Sequence, residues 1–351
     1  MIRVGITVGD IHGIGPEIVI KALSDKRITE LCTPIIYANP KLLSYYKKGV
    51  KESDFFYSPI SQISQLNPGK INLLNCWNDE VKFEPGNPEA PFGGKGAFLS
   101  LEAATRDIID GKIDVLVTGP VDKSNIQKEG NADFKGHTEY LGEKCQANPV
   151  MIMVHEHLKV ALITGHTALK DVSSSLKTQN IIDKINLVMA HLLQDFSIRK
   201  PKIAVLGLNP HNGDDGMFGE EEKNIILPAI EHFKNAGLPV MGPFPSDGFF
   251  ASGNYKKFDA VIAMYHDQGL IPFKLIAGHE GVNYTMGLPI IRVSPDHGPA
   301  FDIAGKYTAD ESGIRNAIYT AIDIFKARKM NEGLNQNPLR ILSPDQLNKL
   351  K

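Results

Sequence analysis

Three apolar runs in this sequence each lead the chain to a histidine. Val160 to Thr164 continues into Gly165-His166-Thr167, Lys202 to Leu208 into Asn209-Pro210-His211-Asn212, and Ala260 to Met264 into Tyr265-His266-Asp267. The runs have strand length, and the segments between them, such as 178–196 and 220–236, have helical patterning. Strands alternating with helices build a parallel sheet, which presents its carboxyl ends at one edge. Three neutral imidazoles gathered there form a divalent-metal site with positions left open for substrate. His155 and His157 also share a face by alternation, but a polar hairpin tip accounts for them and no third ligand is near in sequence.

A second group of residues suits an anion. Lys274, Asn283 and Arg292 bring two positive charges and an amide to the glycine-rich stretch 258–305, which also holds the third histidine. Such a set fits an oxygen-rich anionic small molecule. Gly136-His137-Thr138-Glu139 opens a helical stretch, so His137 and Thr138 either face a cleft or serve the helix start. Asp247 lies in a Pro- and Gly-rich turn, where it either presents a carboxylate to the histidine edge or caps the short segment after it.

The elements that must position these residues begin with a strand, Ile2 to Val8, that runs through Gly9-Asp10-Ile11-His12-Gly13-Ile14-Gly15-Pro16 into a helix. A strand, a glycine turn and a helix start can cradle an anion on backbone amides. Yet neither G-x-G-x-x-G nor G-x-x-x-x-G-K-[ST] occurs, so the usual dinucleotide and nucleotide fingerprints are missing. Thr33 to Tyr37 reads as a strand, and Asn39-Pro40 as an N-cap followed by proline at the first helical position. From Ser53 to Pro91 the patterning fades into an extended, proline-bearing loop. Phe98, Leu101, Ala104, Ile108 and Ile109 mark an amphipathic helix, and 114–118 a buried strand. Leu288 to Val293 is an apolar run carrying Arg292 near its end, 310–326 an amphipathic helix, and 335–351 a short packing helix.

The chain of 351 residues is long enough for two lobes or one large α/β unit. A net charge of −2 supplies no basic field for nucleic acid or an acidic membrane. No apolar run approaches the roughly 20 residues of a membrane span. Cys32, Cys76 and Cys145 form no C-x-x-C pair, which fits a reducing compartment. With a strand-like start and no signal peptide, a cytoplasmic protein is expected.

The motifs GDIHGIGPEI, TGPVDKSNI, GHTEYL, TGHTALKDV, GLNPHNG, GPFPSD, AMYHDQGLIPFK, GVNYTMGLP and IRVSPDHGPAFDIAG follow one another over nearly the whole chain. In that order they resemble the 4-hydroxythreonine-4-phosphate dehydrogenase family of pyridoxal-phosphate biosynthesis. One departure stands out: the family's usual opening G-D-P-x-G-I-G-P-E is Asp10-Ile11-His12 here.

The resemblance implies an α/β fold of two α/β/α lobes with a cleft between them, similar to the isocitrate and isopropylmalate dehydrogenases. Residues 1–125 plus 280–351 would form the outer, cofactor-side lobe, and 126–279 the central lobe with the metal site and dimer contact. It implies a homodimer with a shared active site, and one divalent metal (zinc, magnesium or cobalt) on His166, His211 and His266. Substrate contacts fall on His137, Thr138, Lys274, Asn283 and Arg292. The run from His297 to Gly305 looks like the adenosine-binding loop of the isopropylmalate enzymes. It implies a nicotinamide cofactor bound through His297, Gly298 and Asp302. A carboxylate at Asp302 accepts from both ribose hydroxyls and repels a 2′-phosphate, which favours NAD over NADP.

The implied reaction is metal-dependent, NAD-linked oxidation of 4-phosphohydroxy-L-threonine to 2-amino-3-oxo-4-phosphooxybutanoate, which decarboxylates to 3-amino-2-oxopropyl phosphate. Asp247 is the first choice of proton acceptor, with Lys274 or a water on the metal as alternatives. A dehydrogenase of 4-phospho-threonate or 4-phospho-erythronate would carry the same residues. A phosphate acetyltransferase-like enzyme would need neither the histidines nor the cofactor loop. A non-catalytic phosphate-binding protein leaves Asp302, Lys274 and Arg292 without a shared purpose.

Overall fold

The apolar runs become strands covered on both faces. Ile203–Leu206 and Ala260–Ala263 are buried at every position, as central parallel strands require. The computed structural model describes residues 1–51 and 55–335. Among these, one sheet holds β1 (Ile2–Thr7), β2 (Cys32–Ala38), β3 (Ser58–Ile60), β4 (Asn72–Asn75), β5 (Val115–Thr118), β6 (Val150–His155), β7 (Leu158–Leu162), β8 (Ile203–Leu206), β9 (Val240–Phe244), β10 (Ala260–Ala263), β11 (Val282–Met286) and β12 (Arg292–Pro295). Their spatial order is β3-β4-β2-β1-β5-β12-β11-β6-β7-β10-β8-β9, with helices packed against the sheet. The α/β class expected from the alternation is the one observed.

The sheet is mixed rather than wholly parallel. Strands β3, β4, β2, β1, β5 and β12 pair in parallel, and so do β7, β10, β8 and β9. Between them lie three antiparallel pairings: β12 with β11, β11 with β6, and β6 with β7. An odd number of reversals turns the second parallel group against the first. The carboxyl ends of β7, β10 and β8 therefore share one edge, and those of β1 and β5 lie at the other. The cause is local: a two-residue hairpin turn, Glu156-His157, joins β6 to β7 where a crossover helix would have kept them parallel.

Other differences from the sequence reading have equally local reasons. Strands β3 and β4, of three and four residues, add to the sheet edge inside the stretch taken as a loop, where so short a run shows little alternation. Arg292 opens β12 instead of closing a longer strand. Ile109 ends its helix exposed, while Leu101, Ala104 and Ile108 are buried. Asn39 caps as expected, its side chain accepting from the Lys41 N–H at 2.7 Å ahead of Pro40. The expected packing helix 335–351 lies outside the described residues but for its first. The three cysteines are unpaired, and no described helix is long and apolar enough to cross a membrane.

A buried polar knot ties the middle of the sheet to two long helices. Asp195 of helix Thr178–Phe196 accepts from Arg328 Nε at 2.6 Å on helix Ser312–Asn335, and from the Tyr284 hydroxyl of β11 at 2.5 Å. His191 bonds the same carboxylate, while its Nε2 accepts from the Gly287 N–H at 3.0 Å. Burial pushes the Asp195 carboxyl upward, but the hydrogen bonds from His191 and Arg328, with the charge of Arg328, outweigh it and hold the group below its ordinary range. Removing one partner of such a buried pair costs about 3–5 kcal/mol. Asp195→Ala should lose that much in urea unfolding at neutral pH. The carboxylate's contribution is present above its unfolded pKa of about 3.9 and disappears as pH falls through the lower folded value. The deficit of the variant should therefore shrink in acid, and a deficit under about 1 kcal/mol at pH 7 would contradict the assignment.

Candidate active site

Strand β12 lies beside β5, and its first residue carries the most exceptional charge in the cleft. Arg292 is 3 % exposed. Its Nε and Nη2 donate to Thr118 Oγ1 at 3.0 and 2.6 Å, and its Nη1 donates to Thr285 Oγ1 at 3.0 Å. Those partners are neutral hydroxyls, and among the described residues no carboxylate forms an ion pair with it. Burial pushes the guanidinium down to about 9, offset in part by the charge of Glu139. It therefore stays charged at neutral pH. Burying an ion costs several kcal/mol unless a counter-charge joins it, so this position is built to receive an anion.

The cleft in front of Arg292 holds about 410 Å³ and is lined by His137, Thr138, Lys274 and Asn283, together with His166 and the His297-Gly298 pair. Every substrate-contacting residue inferred from the sequence is thus brought together. Each arrives by a local route. Gly136 takes a backbone φ of 149°, which glycine tolerates, and starts the helix His137–Cys145 with His137 and Thr138 at its first two positions. Lys274 projects from helix His266–Ala277, and Asn283 sits in β11 opposite Ser294.

Three buried atoms in the cleft lack any hydrogen-bond partner: His137 Nε2, Asn283 Oδ1 and His297 Nε2. Buried polar atoms are almost always paired, and three orphans converging on one cleft call for a polar ligand. Burial pushes the His137 imidazole well below its ordinary pKa, and the charges of Arg292 and Lys123 add to the shift. Its ring is neutral in the free cleft.

The three strand-end histidines are only partly gathered. β7, β10 and β8 are adjacent and parallel, so His166, His266 and His211 all follow carboxyl ends at one edge. The His166 and His266 rings lie 6.4 Å apart between centroids, and His266 Nδ1 is bonded to Asp267 Oδ1 at 2.7 Å. With a metal–nitrogen bond of about 2.0 Å, two rings on a tetrahedral ion sit roughly 5 Å apart, somewhat closer than this pair. His211 does not complete the set. Its ring stays beside Phe218, 6.3 Å between centroids. No group of three or more His, Cys, Asp or Glu placed to hold a metal exists among the described residues. His211, Asn212, Gly213, Asp214 and Asp215 are all left-handed, so the ring leaves the strand end from an irregular turn. His155 and His157, 5.4 Å apart between ring centroids, have Glu280 Oε2 3.5 Å from His155 Nε2 but likewise form no such group.

Asp247 is not in the cleft. It is exposed near the start of helix Ser246–Ala251, and its Oδ1 accepts from the Gly248 N–H at 2.7 Å. Two carboxylates do line the cleft, Glu139 and Asp296; Asp296 lies 3.7 Å from Lys274 Nζ, with burial raising its pKa against the pull of Lys274. Sequence reasoning passed over it. The signal was its place in S-P-D-H-G, directly after a strand.

His297 and Gly298 line the cleft, whereas Asp302 is exposed further along the same loop. The loop is seated on the turn after β1. The Ile14 N–H donates to Pro299 O at 2.8 Å, and a Cβ on Gly13 would come within 2.8 Å of Pro299 Cβ. That seating closes the turn, so it is not the open amide cradle its glycines suggested. His12, where the family pattern differs, is buried and bonded on both nitrogens, to Pro91 O at 3.0 Å and from the Glu84 N–H at 3.1 Å. It clamps the 84–91 loop. Gly298 has open space around it, and Asp302 carries an exposed carboxylate.

An α/β chain with an uncompensated cationic cleft, a histidine pair and a seated glycine loop has the equipment of an enzyme for small anionic substrates. Comparison with known proteins identifies which. The profile of the pyridoxal phosphate biosynthetic protein PdxA family matches residues 30–321. A 4-hydroxythreonine-4-phosphate dehydrogenase of Bacteroides thetaiotaomicron is 45 % identical over 341 residues, covering 97 % of this chain and 93 % of that one. A relative in Oceanobacillus iheyensis, named provisionally as a D-threonate 4-phosphate dehydrogenase, is 37 % identical over 326 residues, covering 92 % and 97 %. The crystal structure of the 4-hydroxythreonine-4-phosphate dehydrogenase of Klebsiella pneumoniae superposes with a TM-score of 0.76 at 32 % identity, covering 92 % and 98 %. The chain belongs to the PdxA family and is an oxidoreductase.

Sulfate, which does not titrate near neutrality, should bind this cleft. Arg292→Ala should weaken it by about 2–5 kcal/mol, roughly 30-fold or more. An anion beside His137 favours the imidazolium, so binding should take up a proton and strengthen as pH falls from 7.5 to 6. His137→Gln should flatten that dependence. Calorimetry at two pH values checks both; equal affinity in Arg292→Ala would remove the anion site.

Proposed function

We propose that this chain catalyses the metal-dependent, NAD-linked oxidation of 4-phosphohydroxy-L-threonine, followed by loss of carbon dioxide to give 3-amino-2-oxopropyl phosphate. The observation that carries the reading is Arg292, buried and charged with no ion-paired carboxylate among the described residues, facing a cleft it shares with His137, His166 and the His297-Gly298 loop. The name of the Bacteroides relative supports the substrate.

Arg292, His137 and Thr138 hold the substrate's buried anionic group, with Asn283 Oδ1 accepting a hydrogen from its polar backbone. The Asp296–Lys274 pair, next to the histidine edge, takes the hydroxyl proton. Asp296 suits the task because burial has made it a stronger base than a free carboxylate. His297, Gly298 and Asp302 would hold the nicotinamide cofactor, which when bound would supply the acceptor for the carbinol hydrogen and its electron pair. His166, His266 and His211 would hold a divalent cation, zinc, magnesium or cobalt. Bound there, the ion supplies positive charge for the oxygen that loses its proton. In the β-keto acid that results, the bond to the carboxylate breaks, and Lys274 is placed to return a proton to the product.

A homodimer with a shared active site fits the surface. Leu169, Met217 and Phe218 follow His166 and His211, and Ile271 and Leu275 follow His266; all are exposed, Leu275 to 81 %. Apolar side chains bordering a polar site favour cover by a second copy. Free thiols suit a cytoplasmic setting. A second reading, oxidation of D-threonate 4-phosphate, draws on the Oceanobacillus relative and would use the same residues.

Purified protein with NAD, a divalent metal and 4-phosphohydroxythreonine should produce the reduced-nicotinamide absorbance, and a chelator should abolish it. Turnover should favour NAD over NADP at equal concentration, because Asp302 repels a 2′-phosphate. Asp296→Asn should lower kcat by about 100-fold or more with little change in KM, while Asp247→Asn stays within a few-fold. Turnover of D-threonate 4-phosphate alone would establish the second reading. Full activity in Asp296→Asn would remove that residue from the chemistry.

A further inference from the structure

The turns bearing His166, His211, Asp247 and His266 come from four separate places in the chain, and one side chain touches three of them. Gln268, third residue of helix His266–Ala277, is 8 % exposed. Its Oε1 accepts from the Met264 N–H at 2.6 Å, just past the end of β10. Its Nε2 donates to Gly207 O at 2.5 Å, just past β8, and to Ser246 Oγ at 2.7 Å, beside Asp247. The Met264 carbonyl in turn accepts from the Thr164 hydroxyl at 2.7 Å and the Thr164 N–H at 3.1 Å, two residues before His166. A continuous hydrogen-bonded chain thus crosses the carboxyl ends of β7, β10 and β8.

A glutamine at a helix's third position ordinarily reaches back to its own N-cap amide. Here it reaches one residue further and donates both amide hydrogens to other elements. Apolar packing alone would accept a leucine or methionine at this place. Only a planar amide offers one acceptor and two directed donors to three buried partners, and directed bonds fix distance and tilt where packing fixes volume alone.

We infer that Gln268 is a positioning residue for the histidine edge: its amide sets the separation of the turns carrying His266, His211 and Asp247, and through Met264 and Thr164 that of the turn carrying His166. The inference rests on the metal reading given above. Gln268→Glu keeps the acceptor for Met264 but sets a second carboxylate oxygen against the Gly207 carbonyl, which has no hydrogen to share. Gln268→Met keeps the length and loses all three bonds. Thr164→Val cuts only the link to β7.

Cobalt(II) titration of the full chain, by calorimetry and by its visible spectrum, tests this, with sulfate affinity and thermal midpoint measured on the same samples. In Gln268→Glu and Gln268→Met cobalt affinity should fall about 10- to 100-fold, as supporting-residue losses do at metal sites. Thr164→Val should show a smaller loss, and sulfate binding should stay within about two-fold of the wild type in all three. Wild-type cobalt affinity in both Gln268 variants overturns the inference and leaves the metal reading intact. Loss of cobalt and sulfate together with a collapsed midpoint also overturns it, since that marks a general structural role. A wild-type protein that takes up no cobalt overturns the metal reading and this inference with it.

Discussion

A guanidinium sealed among hydroxyls, with no carboxylate ion-paired to it among the described residues, is the constraint around which the cleft is arranged. Arg292 cannot move its charge into water, because it opens a buried strand and both of its hydrogen-bonded partners belong to neighbouring strands. Burial, with the charge of Arg292 adding to it, keeps His137 neutral, and that ring's Nε2 has no hydrogen-bond partner among the described residues. The free protein thus holds an electrostatic deficit that an incoming anion removes. Binding energy obtained this way comes from preorganised groups rather than from ordering flexible ones, and such energy is available to orient the reacting carbon.

The sheet explains how cationic and imidazole chemistry meet in one chain. Because three antiparallel pairings turn one parallel group against the other, the two groups open at opposite edges. Strands β11 and β12, at that reversal, carry Asn283 and Arg292, while helix His266–Ala277 starts from the histidine edge and delivers Lys274 to the cleft. The Asp195 knot braces the same reversal from behind, through Tyr284 of β11. The cleft is then a product of where the sheet changes direction, and the long helices are what hold that change in place.

Much of this was legible in the sequence. Buried four-residue runs between helices announced the strands of both parallel groups, and the polar residues after them announced the histidine edge. The anion set was legible too, since Lys274, Asn283 and Arg292 are unusual company for a glycine-rich stretch. What could not be read was anything set by three-dimensional direction. The hairpin between β6 and β7 is legible in its polar tip, but the antiparallel pairing of β11 with both β6 and β12, which sets that hairpin inside the sheet, leaves no mark on the apolar pattern. The left-handed turn at His211 depends on five successive backbone angles that Asn, Gly and Asp permit but do not dictate. Asp247 and Asp296 each follow a strand and a proline, and only the fold tells that one lies exposed in the first turn of its own helix while the other faces Lys274.

The most direct measurement is a crystal structure of the protein with cobalt and a phosphorylated hydroxy acid, with anomalous scattering locating the metal. The account predicts a phosphate or carboxylate oxygen within hydrogen-bond distance of Arg292 and His137, and one cobalt peak between His166 and His266 at about 2.0–2.1 Å from each ring nitrogen. An anion bound elsewhere with Arg292 still facing an unfilled cleft, or cobalt away from both histidines, would contradict it.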